Sequence, residues 1–107
     1  MIPSTVVGQV TGTGAIINVV IGFKPDYVKI VNRTTGAMLE WFRGALIAGG
    51  SRKTVVTGAV TVVTGAASID AYAATLGEGF VIPADAQVNV NTNIIDYFAS
   101  RSGPGAT

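Results

Sequence analysis

Neither cysteine nor histidine occurs among the 107 residues. Without cysteine there is no disulfide framework, no thiolate nucleophile and no thiolate metal site. Without histidine the commonest general base and the commonest metal ligand are also missing. Charge is scarce as well: Asp, Glu, Lys and Arg make up 12% of the chain, against about a quarter in an ordinary soluble domain. So few charges cannot cover the outside of a small monomer, which predicts surface buried against copies of the chain or against a partner. A formal net charge of +1 and one adjacent basic pair, Arg52-Lys53, give no clustered cationic excess to displace counterions, so no nucleic-acid partner is expected. No run reaches the ~18 unbroken apolar residues of a membrane span. The nearest, Ala15 to Phe23, is interrupted by Asn18 and Gly22, and no membrane partner is expected. The opening Met1 to Gly8 lacks the positive start and long apolar stretch of a signal peptide, so the expectation is a chain made in a cytoplasm.

The motifs of common chemistry are absent too. Gly12-Thr13-Gly14 begins like a dinucleotide fingerprint but lacks the third glycine and the following helix, and reads as a turn. There is no phosphate-loop pattern and no EF-hand. Asn32-Arg33-Thr34 fits the glycosylation acceptor rule but, with no secretory signal, reads as a turn. The acids Asp26, Glu40, Asp70, Glu78, Asp85 and Asp96 are scattered, with no pair at a spacing that forces proximity. What remains for chemistry is Ser or Thr with Lys, or carboxylates brought together by the fold; no catalytic, metal or cofactor site is read from the sequence, and the expectation is that the chain is not an enzyme.

What the sequence does contain is Val, Thr and Ile in short runs punctuated by glycine, a composition for strands and tight turns. The fold class expected is all-β, a β-sandwich or jelly-roll-like barrel with at most one short helix. Residues 1–99 read as a single β domain whose first ten residues could form an N-terminal arm. Residues 100–107, small and carrying Gly103-Pro104-Gly105, read as a flexible C-terminal tail.

The most legible stretch is Gly22 to Gly44, where a Pro25-Asp26 turn feeds one strand and Thr34-Thr35-Gly36 turns it into a second. Along Tyr27 to Asn32, Val28, Ile30 and Asn32 share one face. Along Ala37 to Arg43, Leu39 and Trp41 lie opposite Met38, Glu40 and Phe42, so both faces are apolar apart from one Glu. Such a strand either sits centrally in a two-sided packing or turns its second face to a subunit interface.

Elsewhere, Ser4 to Thr11 and Ala15 to Ile21, separated by Gly12-Thr13-Gly14, predict an opening hairpin. Gly44 to Ser51 reads as a loop. The repeat Thr54 to Ala59, Thr61 to Ala66 predicts a second hairpin turning at Gly58-Ala59-Val60, because one continuous strand would flip the second copy to the other face. Ser68 to Leu76 is the one place for a helix, with Ser68 as cap and Gly77 as stop. Gly79 to Ile82 reads as a strand, Pro83 to Ala86 as a turn and Val88 onward as a long final strand. On that strand Asn89, Asn91 and Asn93 form an amide row.

Two sets of candidate contact residues follow. Met38, Trp41, Phe42, Arg43, Arg52 and Lys53 are candidates for an interface, the arginines and lysine bracketing the Gly44 to Ser51 loop. Trp41 reads first as a core or subunit-interface residue, with a binding platform for a sugar or a partner as the alternative. Asn89, Asn91 and Asn93 could contact a glycan or hydrogen-bond across a symmetry axis, or form a solvated polar face.

Gly22-Phe-Lys-Pro-Asp-Tyr-Val-Lys-Ile-Val-Asn32, Leu39-Glu-Trp-Phe-Arg-Gly44, Gly79-Phe-Val-Ile-Pro-Ala-Asp-Ala-Gln-Val-Asn-Val-Asn91 and the closing Asp96-Tyr-Phe-Ala99 resemble small all-β virion proteins of tailed bacteriophages, of the head-decoration and head-fibre or tail-fibre type. The resemblance implies a structural protein with no catalytic residues. It implies a capsid decoration or cement protein, made in the host cytoplasm and carried on the virion surface. Such a protein would bind the major capsid protein on the outside of the head, associate as a homotrimer and stabilise the shell. The alternative it implies is a fibre or adhesin domain that binds a host glycan.

Overall fold

Strict alternation builds the centre of the molecule. In the computed structural model, which describes residues 4–43, 50–74 and 77–101, strands β3 (Tyr27–Asn32) and β4 (Met38–Phe42) form the expected hairpin. Val28, Ile30, Leu39 and Trp41 turn inward and are buried. The reversal is fixed by Asn32, whose Oδ1 accepts the N–H groups of Thr34 at 2.8 Å and Thr35 at 2.9 Å. Gly36 then takes φ +77°, a conformation strained for any side chain-bearing residue.

Around this hairpin grows a six-stranded sheet in the order β1 (Ser4–Thr11), β9 (Ile94–Arg101), β3, β4, β5 (Ser51–Thr54), β6 (Val60–Val63), with every neighbouring pair antiparallel. A three-stranded antiparallel sheet, β2 (Ile17–Val20), β8 (Gly77–Ile82), β7 (Asp70–Ala74), forms the second layer. The all-β, sandwich-like architecture is thus the one the composition calls for. Its core joins Val28, Ile30, Leu39, Trp41, Ile95 and Ala99 of the large sheet to Val19, Phe80 and Ile82 of the small one, with Ile69 and Val88 supplied by connecting segments. Each fully buried aliphatic or aromatic side chain contributes about 1.5–3 kcal/mol relative to exposure. Phe80 and Tyr97 meet edge to face across the layers at 5.3 Å between centroids.

Several local expectations are corrected. β1 and β2 are not a hairpin: β1 pairs with β9 and β2 with β8, so Gly12 to Ile16 carries the chain from one sheet to the other. Gly12 is needed there for close approach, since a Cβ at that position would strike the Val90 carbonyl. The candidate arm, residues 1–10, is from Ser4 on part of a strand paired along its full length within the chain, and residues 1–3 lie outside the described residues. No helix forms over residues 68–74, the described part of the expected Ser68 to Leu76 helix, and residues 75–76 lie outside the described residues; a single 3-10 turn, Gly65–Ala67, precedes strand β7. A helix of that length is marginal on its own, since isolated helices need about 12–15 residues, and the hydrogen-bond ladder to β8 outweighs it.

The long final strand also begins later than expected, at Ile94, because residues 85–93 form successive turns. Asp85 holds those turns, its Oδ1 accepting the N–H groups of Gln87 at 2.8 Å and Val88 at 3.0 Å. Thr92 takes φ 71° within them. At the C-terminal end, Ser100 and Arg101 belong to β9 rather than to a tail, and residues 102–107 lie outside the described residues, as does most of the expected loop, 44–49. The second hairpin is present, with its turn over residues 55–59, slightly earlier than Gly58-Ala59-Val60.

Candidate functional site

The six strands of the large sheet turn alternate residues away from the core, and the outer face they build is not an ordinary charged surface. Tyr27 packs against Phe42 at 4.8 Å and against Phe98 at 5.9 Å between ring centroids, and both phenylalanines are exposed. Beside them the pairing registers set Lys29 opposite Glu40 and Glu40 opposite Arg52. Glu40 accepts from the Arg52 guanidinium and, at 3.0 Å, from the Tyr27 hydroxyl. That pairing with Arg52 outweighs burial and holds the Glu40 carboxyl below its ordinary range. Burial first, and then the bond to Glu40, push the Tyr27 hydroxyl up to about 12. Val31 and Met38 continue the face, and exposed Val7, Val60 and Val62 lie towards its two edges. At one end Arg33 reaches Asp96 in a two-point contact, Nη2 to Oδ1 at 2.6 Å and Nε to Oδ2 at 3.1 Å.

Three of the candidate interface residues, Met38, Phe42 and Arg52, therefore stand together on this face. The other three do not join them. Trp41 points inward and is 3% exposed, which corrects its reading as a platform or interface residue and assigns it to the core. Lys53 also points inward; its Nζ pairs with Asp85 Oδ2 at 2.8 Å, the two side chains being 15% and 7% exposed. Burial raises the Asp85 carboxyl, but Lys53 and the N–H groups of Gln87 and Val88 outweigh it and hold it below its usual value. Arg43 follows β4 and ties its main chain to that of Asp26, its N–H donating to the Asp26 carbonyl at 2.9 Å.

The amide row is not a row. Asn89, Asn91 and Asn93 sit on turns, and only Asn91 is exposed. Asn89 is buried and its polar atoms are taken: Oδ1 accepts from Thr13 N–H at 2.9 Å and Gly14 N–H at 3.2 Å, while Nδ2 donates to the carbonyls of Ala15 at 2.6 Å and Pro83 at 3.1 Å. It clasps the crossover after β1 to the segment after β8. Asn32, buried in the same way, donates to the Val88 carbonyl at 2.9 Å.

Alternation along β3 sets Tyr27 opposite Val28 and Ile30, but sequence reasoning missed its contacts with Phe42 and Phe98, and missed Phe98, Val7 and Val62 as members of the outer face. Alternation within each strand is visible in sequence, but which strands become neighbours, and so which outward residues meet, is set by tertiary pairing. Among the described residues no ligand-sized cavity opens and no three metal-ligating side chains converge. What this face can do chemically is bury aromatic and aliphatic surface against another protein while its central Glu40–Arg52 ion pair fixes orientation. Comparison with protein-family models, with curated proteins and with solved structures finds no match.

Proposed function

We propose that this protein is a structural virion component that decorates the outside of a bacteriophage head, binding the major capsid protein and self-associating as a homotrimer. The reading draws on the resemblance carried by Gly22 to Asn32, Leu39 to Gly44 and Gly79 to Asn91. The observation that carries it furthest is the outer face of the six-stranded sheet, where half-buried Tyr27 and exposed Phe42 and Phe98 form an aromatic cluster, with no ligand-sized cavity among the described residues. Such a face suits the flat surface of an assembled shell better than a small ligand. Binding the assembled shell in preference to its loosened state stabilises the shell by mass action, by about 2.7 kcal/mol per site at a free concentration of 100 times Kd.

The test is co-sedimentation of the purified protein with heads stripped of accessory proteins, the bound copies being counted by gel densitometry. Saturable binding at a multiple expected for icosahedral sites supports decoration. A protein that stays in the supernatant at every concentration defeats it and moves the assignment to a fibre or adhesin domain.

A further inference from the structure

Cross-strand pairing carries a single line of side chains across the whole outer face: Val7, Phe98, Lys29, Glu40, Arg52 and Val62, each directly opposite the next. The line starts and ends on the two open edges of the sheet, and both end residues are exposed valines, at 73% and 47%. Those edges are unguarded. β1 reads Ser-Thr-Val-Val-Gly-Gln-Val-Thr and β6 reads Val-Thr-Val-Val. Neither holds the lysine, proline or inward charge with which sheets ordinarily block edge pairing. β6 is only lightly covered: Val60 and Val62 on the outside and Thr61 on the inside are exposed, and of its four residues Val63 alone packs against the core. A strand with a free edge and one residue on the core gains little from its own chain.

Strand polarity shows what fits there. Five successive antiparallel steps separate β1 from β6, so the two edges run in opposite directions. A second copy related by rotation about an axis along the strands brings its β1 antiparallel to β6, with the same face outward. We infer that copies of this chain join head to tail, β6 of one pairing with β1 of the next, with Val60 opposite Gln9, Thr61 opposite Gly8, Val62 opposite Val7 and Val63 opposite Val6. This register continues every line of side chains into the next chain, places valine on valine on both faces and opposes no charges. A two-fold contact of β1 with itself would instead leave the β6 edge open. The joint is heterologous and closes into a ring when the rotation per copy divides the circle. It rests on the self-association in the function proposed above and not on shell binding, and it leaves the aromatic cluster free for the shell.

The chain's lack of cysteine makes introduced thiols clean reporters. Directly opposed residues in an antiparallel pair hold their Cα atoms about 4.5–5.5 Å apart, within the roughly 4.4–6.8 Å range of disulfides. Val7→Cys and Val62→Cys are made singly at these exposed sites, and circular dichroism confirms that each folds. On oxidation the mixture is expected to give a Val7→Cys to Val62→Cys heterodimer while neither variant links to itself, and the double variant is expected to give a covalent ring or ladder. Self-linking of Val7→Cys would overturn the joint in favour of a two-fold contact. A mixture that stays unlinked at concentrations where wild type self-associates in sedimentation velocity would also overturn it, as would a strictly monomeric wild type. A Val62→Lys chain, which adds the missing guard, is expected to lose the oligomer with its circular dichroism unchanged. Head co-sedimentation reads the shell contact separately: heads bound without cross-linking sink this joint alone, and cross-linking without head binding sinks decoration alone.

Discussion

On β3 the side chains of Val28, Ile30 and Asn32 have no contact with solvent, whereas Tyr27, Lys29 and Val31, one residue away in each case, are only half-buried on the other side of the same sheet. β4 repeats the contrast, Leu39 and Trp41 inside and Met38, Glu40 and Phe42 outside. The inner face holds the fold together by excluding water. The outer face is equally rich in large side chains but spends them on contacts that stop at the surface. Two faces of one sheet, separated by a single step of the pleat, therefore have different tasks. Substitutions on the first are expected to cost stability, and those on the second to cost association.

The largest effect is expected at Phe80, which is fully buried and bridges the layers against Tyr97. Phe80→Ala removes that area and leaves a cavity, at about 3–5 kcal/mol, read as a fall in the urea midpoint with little change in slope. Next comes Asn89, buried beyond the end of the sheet and holding four main-chain groups. Asn89→Ala leaves those groups unpaired and is expected to cost about 2–3 kcal/mol. Exposed Asn91 serves as the control, Asn91→Ala staying within about 0.5 kcal/mol. Equal losses at the two positions would mean that the clasp is not what holds the crossover.

These asparagines also mark where sequence stopped being informative. Strict alternation over Val88 to Asn93 imitates a strand, yet Asp85 accepts the first N–H groups and Asn89 reaches back to Thr13 and Gly14, so side chains hold a turn in place of a ladder. The Thr13 and Gly14 partners of Asn89 are more than seventy residues away and no local pattern announces them. The alanine-rich stretch after Ser68 failed for the converse reason: its local preference was helical, and the ladder to β8 overrode it. By contrast, the Tyr27 to Phe42 hairpin was legible because turn chemistry and period-two alternation agree there. The repeat around Thr54 to Ala66 was legible because odd spacing forbids one strand. Part of the proposed interface was readable: Tyr27, Met38 and Phe42 from parity within their strands, and Arg52 from its place beside the Gly44 to Ser51 loop. Phe98, Val7 and Val62, and the meeting of Tyr27 with both phenylalanines, came only with the strand order.

The titrating groups give a further test. The Asp85 carboxyl is lower in the folded chain than in the unfolded one, so its contribution is full above about pH 4, the unfolded value, and is lost as pH falls through the folded value. Lys53→Met leaves the buried carboxylate without its cation and is expected to move the onset of acid unfolding to higher pH, measured by circular dichroism. On the outer face Glu40 and Asp96 are likewise lowered and lose their contribution in acid, whereas the Tyr27 hydroxyl has the opposite sign. Tyr27 is raised to about 12, so its contribution is full below about pH 10 and is lost as pH rises through that window. Phenolate absorbance is expected to show one tyrosine titrating near 12, and Glu40→Gln to bring it down, since the carboxylate's charge helps to raise it.

The smallest expected change in stability is at Phe98, which lies outside the core on β9 and touches Tyr27 by its edge. Phe98→Ser removes exposed area and leaves no cavity, so the urea midpoint should shift by no more than about 0.5 kcal/mol. Head binding should nevertheless fall sharply, because aromatic anchors near the centre of an interface carry most of its energy, about 2 kcal/mol or more each and hence more than tenfold in affinity. Phe42→Ser should behave in the same way, and the pair should be less than additive, since both rings pack on Tyr27. A Phe98→Ser protein that unfolds early would make the outer aromatic cluster part of the core. One that stays folded and still saturates heads would leave the cluster without a role in shell binding, and the contact would then have to lie on another surface of the sandwich.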